Sequence, residues 1–410
     1  MKILFVAGEH AYGDPRRGLS YEHANMVPSL RALGHDVVLF EAFNRHRHVD
    51  FAALNVALIE AIESEAPELV LYVLQHFEIW TETLSALKNG RRPLQLNWGT
   101  DDSWKYRPFA RFVAPCLDFY ATTSLSAFQR AQADGHRNFL LTQWAANDAT
   151  LAAPLPASKC RYDVSFVGAA YGNRKRWIES LRERGIVVEC FGHGWRNGPV
   201  SAAEVSRIFR ESVISLNFAD SALHWDGLRP YRSRQIKARV FEVPGAGGFL
   251  LTEPAEGLER YYRSGSEVAT FDSLNALVAH IRYFTSRPAE RDQIAQTGYE
   301  RTRRDHTYSV RLQALLDAVT PQLPACDLDA DRAAVANVLV EVRRLAVTHP
   351  PSWLMRGLKA ALVLPFALVF GRHRGARAAR RVVYALSWRL AGARTFSVRG
   401  WSGRLFYPES

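Results

Sequence analysis

The sequence predicts an α/β protein of two Rossmann-like parallel-sheet domains followed by a basic, partly apolar helical extension. Three observations carry that expectation. Short β-rich runs alternate with helix-patterned runs over residues 1–142; a proline-bearing stretch, 147–160, interrupts the rhythm before it restarts at Tyr162; and after Pro321 and Pro324 the strand signals stop and arginine-rich, helix-like sequence begins. With 410 residues, 48% of them hydrophobic, the chain is long enough for two full cores and an extension.

The first domain, residues 1–146, is expected to place strands at 2–7, 36–40, 69–73, 93–97, 119–122 and 139–142. Helices are expected at 20–33, 51–65, 78–87 and 124–134. Leu33-Gly34-His35-Asp36 reads as a helix stop running straight into a strand. Residues 147–160 form the linker. In the second domain, 161–320, strands are expected at 162–168, 187–191, 213–218 and 249–251, with helices at 173–184, 201–211, 235–243, 273–285, 288–297 and 309–318. Residues 321–410 form the extension.

Composition narrows the function. Cys116, Cys160, Cys190 and Cys326 are far apart, make no metal or redox spacing, and suit a reducing compartment. The apolar run Met1–Ala7 breaks at Gly8-Glu9-His10 and is too short for a signal peptide. The longest apolar window, residues 360–370, contains Pro365 and falls short of the roughly 20 residues that span a bilayer. A cytoplasmic location is expected. Of the net charge of +11, residues 343–410 hold +12, from 13 Lys or Arg against the single acid Glu409, which leaves −1 for residues 1–342. The body is nearly neutral and the extension strongly basic.

The first turn lacks the glycine spacing of a dinucleotide site. Gly8-Glu9-His10-Ala11-Tyr12-Gly13 is spaced wrongly, and Glu9 would repel a pyrophosphate. Walker and H-E-x-x-H motifs are absent, and neither a metal nor another cofactor is expected. The second domain supplies a different grouping: Gly168 with Arg174, Lys175 and Arg176, then Arg232, Arg234, Lys237 and Arg239 ahead of Glu242 and the glycines Gly245, Gly247 and Gly248. A diphosphate calls for amide donors and cationic side chains together, and a nearby carboxylate accepts hydrogen bonds from ribose hydroxyls. The plainer alternatives are a solvated helix face for residues 174–176 with Trp177 packed inward, and a helix carboxylate paired with Arg239 or Arg234 for Glu242.

Asp163-Val-Ser-Phe-Val-Gly168 with Arg174, Gly198-Pro-Val-Ser201, Ile214-Ser-Leu-Asn217, Arg239-Val-Phe-Glu242, Gly247-Gly-Phe-Leu-Leu-Thr252 and Gly265-Ser-Glu267 follow one another in that order. Ile281-Arg-Tyr-Phe284, Glu290-Arg291, Ile294-Ala295, Gly298 and His306-Thr-Tyr308 continue the series. Together, over about residues 162–316, they resemble the CgeB-like (spore-maturation-protein-like) glycosyltransferases of GT-B fold, with a group 1-type C-terminal domain. The resemblance implies a nucleotide-sugar donor bound chiefly by the second domain and an acceptor, whether glycan, lipid-linked or protein, met mainly by the first across a cleft. It implies that Glu242 contacts the ribose and Arg174 the diphosphate; Gly168, Lys237, Arg239, Gly247 and Gly248 complete the expected donor grouping, and His193, after a strand, either touches the donor or is a satisfied turn histidine. It also exposes a departure: retaining enzymes with paired glutamates carry another Glu eight residues before the ribose-binding one, where this chain has Arg234.

If the reaction inverts, a base must take the acceptor proton. The candidates are His10, Asp14, Glu22 and His23 near the first strand, and His76, Asp101 and Asp102 after later ones. His10 and Asp101 follow strand ends most directly, and Trp98, Trp104 and Tyr106 flank Asp101 as stacking surfaces or core. The extension joins the apolar run 351–370 to Arg372, Arg374, Arg377, Arg380 and Arg381. It reads either as a segment drawn to the anionic inner membrane or as a helical hairpin packed on the enzyme; no nucleic acid is expected. A catalytically silent glycan- or partner-binding module and another nucleotide-dependent Rossmann-type enzyme stand as alternatives.

Overall fold

Lys2–Ala7 forms β1, with five of its six residues buried, as a parallel strand covered on both faces must be. The computed structural model describes residues 1–90, 93–219, 224–226, 229–231, 233–325, 327–348 and 353–407, with backbone alone at 224–226, 229–231, 353, 354 and 373. Ser20 caps α1 (Tyr21–Ala32), its hydroxyl accepting from the His23 N–H at 3.1 Å. Gly34, at φ 84°, then turns the chain into β2 (Asp36–Glu41).

Asp50 caps α2 (Phe51–Glu65), which leads to β3 (Leu69–Tyr72); α3 (Thr81–Lys88) leads to β4 (Leu94–Gly99). The short helices α4 (Asp102–Lys105) and α5 (Arg111–Val113) precede β5 (Phe119–Thr122). Between them Tyr106–Ala110 winds as a π turn, where Pro108 has no N–H to give to a regular helix. α6 (Leu125–Ala133) and β6 (Phe139–Leu141) complete a parallel sheet of order β2-β1-β3-β4-β5-β6.

The pattern restarts at β7 (Tyr162–Val167), α7 (Arg174–Arg182), β8 (Glu189–Phe191), α8 (Ala202–Arg210) and β9 (Ser212–Asn217). Ser201 and Glu204 form a reciprocal capping box on α8. An antiparallel pair, β10 (His224–Asp226) and β11 (Arg229–Tyr231), was not expected from the sequence. Then come α9 (Arg239–Gly245), β12 (Leu250–Thr252), β13 (Ala269–Thr270), α10 (Leu274–Ser286), α11 (Pro288–Asp305) and α12 (Tyr308–Val319). The second sheet is parallel, of order β13-β12-β9-β7-β8.

α9 begins at Arg239, four residues later than its composition suggests, because the preceding residues are tied to the sheet: the Gln235 N–H donates to the Ala219 carbonyl at 3.1 Å. Arg291 is fully buried and donates to the carbonyls of Val213 (2.7 Å), Ser212 (2.8 Å) and Leu155 (2.9 Å), so it pins the linker to the start of β9.

The extension forms α13 (Leu328–Val347), α14 (Trp353–Phe370), α15 (Arg372–Ala391) and α16 (Trp401–Phe406). The chain folds into two compact units, one of Met1–Thr123, Ala127–Leu141 and Leu315–Ser410, and a second of Ser124–Ser126 and Thr142–Ala314. The extension is therefore built into the first unit. Val335, Val338, Leu339 and Val342 of α13, with Phe396, Val398 and Tyr407, are buried in the same core as Leu58, Ile62 and Leu84. The Tyr384 hydroxyl donates to the Pro108 carbonyl at 3.0 Å, and that of Tyr407 to the His48 carbonyl at 2.7 Å. Among the described residues no helix is long and apolar enough to cross a membrane.

Candidate functional site

In the second unit the strand order reverses at β7, which has β8 on one side and β9 on the other. Ligands of open parallel sheets collect at the C-terminal edge of such a switch point, and here that edge is Gly168. Its N–H donates to the Phe191 carbonyl at 2.7 Å and its carbonyl accepts from the Trp195 indole at 2.6 Å. A Cβ on Gly168 would stand 3.1 Å from Nη2 of Arg239, so the guanidinium lies against the glycine. The Arg239 Nε is buried without a hydrogen-bond partner among the described residues.

Residues 234–239 cross the ends of three strands. Gln235 is anchored just past β9, Arg239 lies at the end of β7, and Arg234 reaches the end of β12, with Nη2 3.9 Å from Oε1 of the buried Glu253. The chain's path thus holds one guanidinium on each side of β9. Glu253 was missed in the sequence, although a lone acid directly after an apolar strand was the signal available. Glu242 follows Arg239 by one helical turn and is half-buried, and Lys237 is half-buried just ahead of it.

Other predicted donor residues hold the loops in shape. Arg174 is 2% exposed; it donates to the Ala169 carbonyl (2.9 Å) and the Tyr171 hydroxyl (3.0 Å) and stacks 3.9 Å from the Tyr171 ring centre, fastening the loop after β7. His193 is exposed on the loop after β8, and its carbonyl accepts from the Ala170 N–H at 2.8 Å. At Gly247, with φ 80°, a Cβ would stand 2.5 Å from the Ala152 carbonyl oxygen, and at Gly248 it would stand 2.6 Å from that of Phe209. Glycine is needed at both positions for the chain to pack on itself. Arg232 and the side chains of His224 and Asp226, like Cys326, lie outside the described residues.

The first sheet reverses between β1 and β3, and its C-terminal edge is acidic. Lys105 is 5% exposed; its Nζ donates to Gln75 Oε1 at 2.7 Å and stands 4.0 Å from Oδ2 of Asp101, whose side chain is open to solvent. Burial raises the Glu22 carboxyl above its ordinary range; Asp101 adds to the shift and Lys105 opposes it. Asp102 is fully buried. Its Oδ1 accepts from the Tyr120 hydroxyl at 3.1 Å, its Oδ2 lies against Gly99 with no hydrogen-bond partner among the described residues, and burial pushes its pKa up to about 6.

His10 follows β1, with Nδ1 3.9 Å from the Glu9 carboxylate. Strand β3 stands between β1 and β4, so the His10 and Asp101 strand ends are about 10 Å apart. Glu9, His10 and Glu41 can bring ligand atoms within 4.8 Å of one another, as a cation site would. Glu41, however, already accepts from the N–H groups of Glu9 (2.8 Å), Phe43 (2.6 Å) and Asn44 (3.0 Å), which gives it a structural role. Trp98 and Tyr106 are core residues, and Trp104, partly exposed with its ring 5.3 Å from Lys105 Nζ, is the aromatic left at the rim.

Residues 174–317 match the family model described as glycosyl transferase-like. No curated protein matches the sequence. Among solved structures, the sucrose-phosphate synthase of Thermosynechococcus elongatus is 11% identical, covers 78% of this chain and 100% of its own, and superposes with a TM-score of 0.51. Anabaena HepE in complex with UDP is 10% identical with the same coverages and a TM-score of 0.51. The lipopolysaccharide outer core galactosyltransferase WaaB in its apo form is 11% identical, with 79% and 100% covered and a TM-score of 0.50. Such likeness is one of fold: two Rossmann-like parallel-sheet units in the GT-B arrangement of elements, the second carrying a glycosyl transferase-like domain.

Proposed function

We propose that this GT-B glycosyltransferase moves a sugar from a nucleotide-sugar to a glycan, lipid-linked or protein acceptor at the inner membrane face. The donor is taken by the C-terminal edge of the second sheet and the acceptor hydroxyl is deprotonated at that of the first. The observation that carries the reading is the Arg239 guanidinium laid on Gly168 at the switch point, with Arg234 across β9 from it. Two guanidinium groups are the counter-charge a diphosphate leaving group needs as its bond to the sugar breaks. Glu242, one turn from Arg239, accepts hydrogen bonds from the ribose. That HepE binds UDP on the same fold supports the donor class.

The base is Asp101. Its carboxylate takes the acceptor proton while the acceptor oxygen bonds to the anomeric carbon and the nucleotide diphosphate departs, which inverts the configuration. Lys105, held by Gln75, stands 4.0 Å from the Asp101 carboxylate and helps position it. Arg234, standing where a second glutamate would serve retention, fits this assignment.

Thermal denaturation with UDP-, GDP- and dTDP-sugars tests the reading. A ligand at about 100 times its Kd stabilises the native state by about 2.7 kcal/mol, so one nucleotide class should raise Tm clearly. No response to any of them would leave a silent GT-B module. Glu242→Ala should keep the fold and weaken nucleotide binding about tenfold, the loss of one hydrogen-bonded contact of roughly 1.5 kcal/mol.

A further inference from the structure

We propose that the α14–α15 hairpin is a docking face for an anionic lipid bilayer, lying in the plane of the membrane rather than across it. The two helices meet closely, since a Cβ on Gly375 would fall 2.5 Å from the Ala367 Cα. One side of the hairpin is committed to the first unit: Ala379 and Val383 are buried with Leu405 and Phe406, and the Tyr384 hydroxyl is bonded to the Pro108 carbonyl. Beyond that contact, other large aliphatics of the hairpin stand open among the described residues. Leu368 is 79% exposed, Val369 74% and Leu390 82%, with Leu364 and Leu386 about half exposed beside them.

Leu364 and Leu368 lie four residues apart on α14, and Val382, Leu386 and Leu390 repeat every four on α15, so each helix presents a continuous apolar stripe. A water-soluble surface rarely leaves such a stripe open without a partner.

Charge identifies the partner. Arg372, Arg374, Arg377, Arg381 and Arg389 are exposed on α15, and no acid occurs from residue 342 to residue 408. A hairpin that carries both open aliphatics and exposed arginines, with no acid in its sequence, matches lipid chains topped by anionic headgroups. A nucleic acid would satisfy the arginines but not the leucines.

The committed side of the hairpin adjoins the acidic edge of its own unit. The Tyr384 ring of α15 packs 5.4 Å from both His76 and Phe77, on the loop after β3 whose Gln75 holds Lys105. A docked hairpin therefore sets Asp101 near the lipid surface. This point rests on the transferase reading above and favours a lipid-linked acceptor; the docking face itself rests on the hairpin alone.

Flotation of the full-length protein with vesicles of 30% phosphatidylglycerol in phosphatidylcholine tests it, against vesicles of phosphatidylcholine alone. The protein should float with the anionic vesicles and at least tenfold less with the neutral ones. Leu368→Asp/Leu390→Asp should cut partitioning at least tenfold. Arg374→Gln/Arg377→Gln/Arg381→Gln should cut it about a hundredfold, as each arginine contributes roughly fivefold. Both variants change only exposed side chains, and their circular dichroism and nucleotide-induced Tm shift should match the wild type. Failure of the wild type to float, or flotation of both variants at the wild-type level, overturns the proposal. So does a dimer that the aspartate variant dissociates in a protein that ignores vesicles. Flotation in a protein that binds no nucleotide would overturn the transferase reading and leave the docking face standing.

Discussion

At the C-terminal edge of the second sheet Arg234 and Arg239 stand on either side of β9, with the buried Glu253 beside Arg234, whereas the same edge of the first sheet carries Glu9, Glu22, Glu41, Asp101 and Asp102 with Lys105 among them. Both sheets are parallel, and both have their switch point beside the first strand of the unit. Their backbones offer a ligand the same crevice, and the side chains give it opposite signs. On the reading proposed above, the second edge supplies cations for the group that leaves and the first a carboxylate for the proton that must be taken. The acidic edge is graded as well, with Asp101 open to solvent, Glu22 shifted by burial and Asp102 sealed.

The largest break in this contrast should come from Asp101→Asn, which removes the proposed base and leaves the cationic edge untouched. Turnover should fall by about 10²- to 10⁴-fold with nucleotide affinity unchanged, as measured by initial rates beside calorimetric titration. A variant that turns over at the wild-type rate would move the base elsewhere, His10 first.

Arg239→Gln attacks the opposite edge. Loss of a charge-assisted contact costs about 1.5–3 kcal/mol, so the nucleotide Kd should rise roughly ten- to hundredfold while the fold persists. Gly168→Ala should weaken binding in the same direction, because its methyl would press on the guanidinium. Unaltered affinity in both would remove this corner from the donor site.

Asp102 gives the smallest and most diagnostic effect. Its folded pKa of about 6 lies above the ordinary carboxylate value, so the stability it contributes is complete below about pH 4 and is lost as pH rises toward 6 and beyond. Asp102→Asn lacks that loss. Relative to wild type it should gain on the order of 2 kcal/mol between pH 4.5 and pH 7.5, read by urea denaturation at the two values. A difference that does not change with pH would show that Asp102 titrates normally.

Much of the fold was legible because its signals are local. The apolar run of β1, the Leu33-Gly34 stop, the Ser201 cap and the turn after Val167 each act within a few residues. The α13 stripe of Val335, Val338, Leu339 and Val342 was readable in the same way as a helix face needing cover. Which core would cover it was not, since nothing near it in sequence names α2 and α3. The same limit applied to the candidate site: Arg174 and Arg239 look alike as basic residues beside glycines, yet one is folded onto its own loop and the other onto Gly168.

Two parallel-sheet units, a glycine-turned junction before β12 and a strongly basic end could be read from the chain alone, because periodicity, capping and charge are properties of neighbouring residues. That Arg239 meets Gly168, that Arg234 pairs with Glu253, that Asp102 is sealed while Asp101 stays open, and that the basic end completes the first core are outcomes of folding. Those outcomes depend on which strand ends and helix faces are brought together over tens to hundreds of residues, and burial and contact at that range are set by the packing of the whole unit.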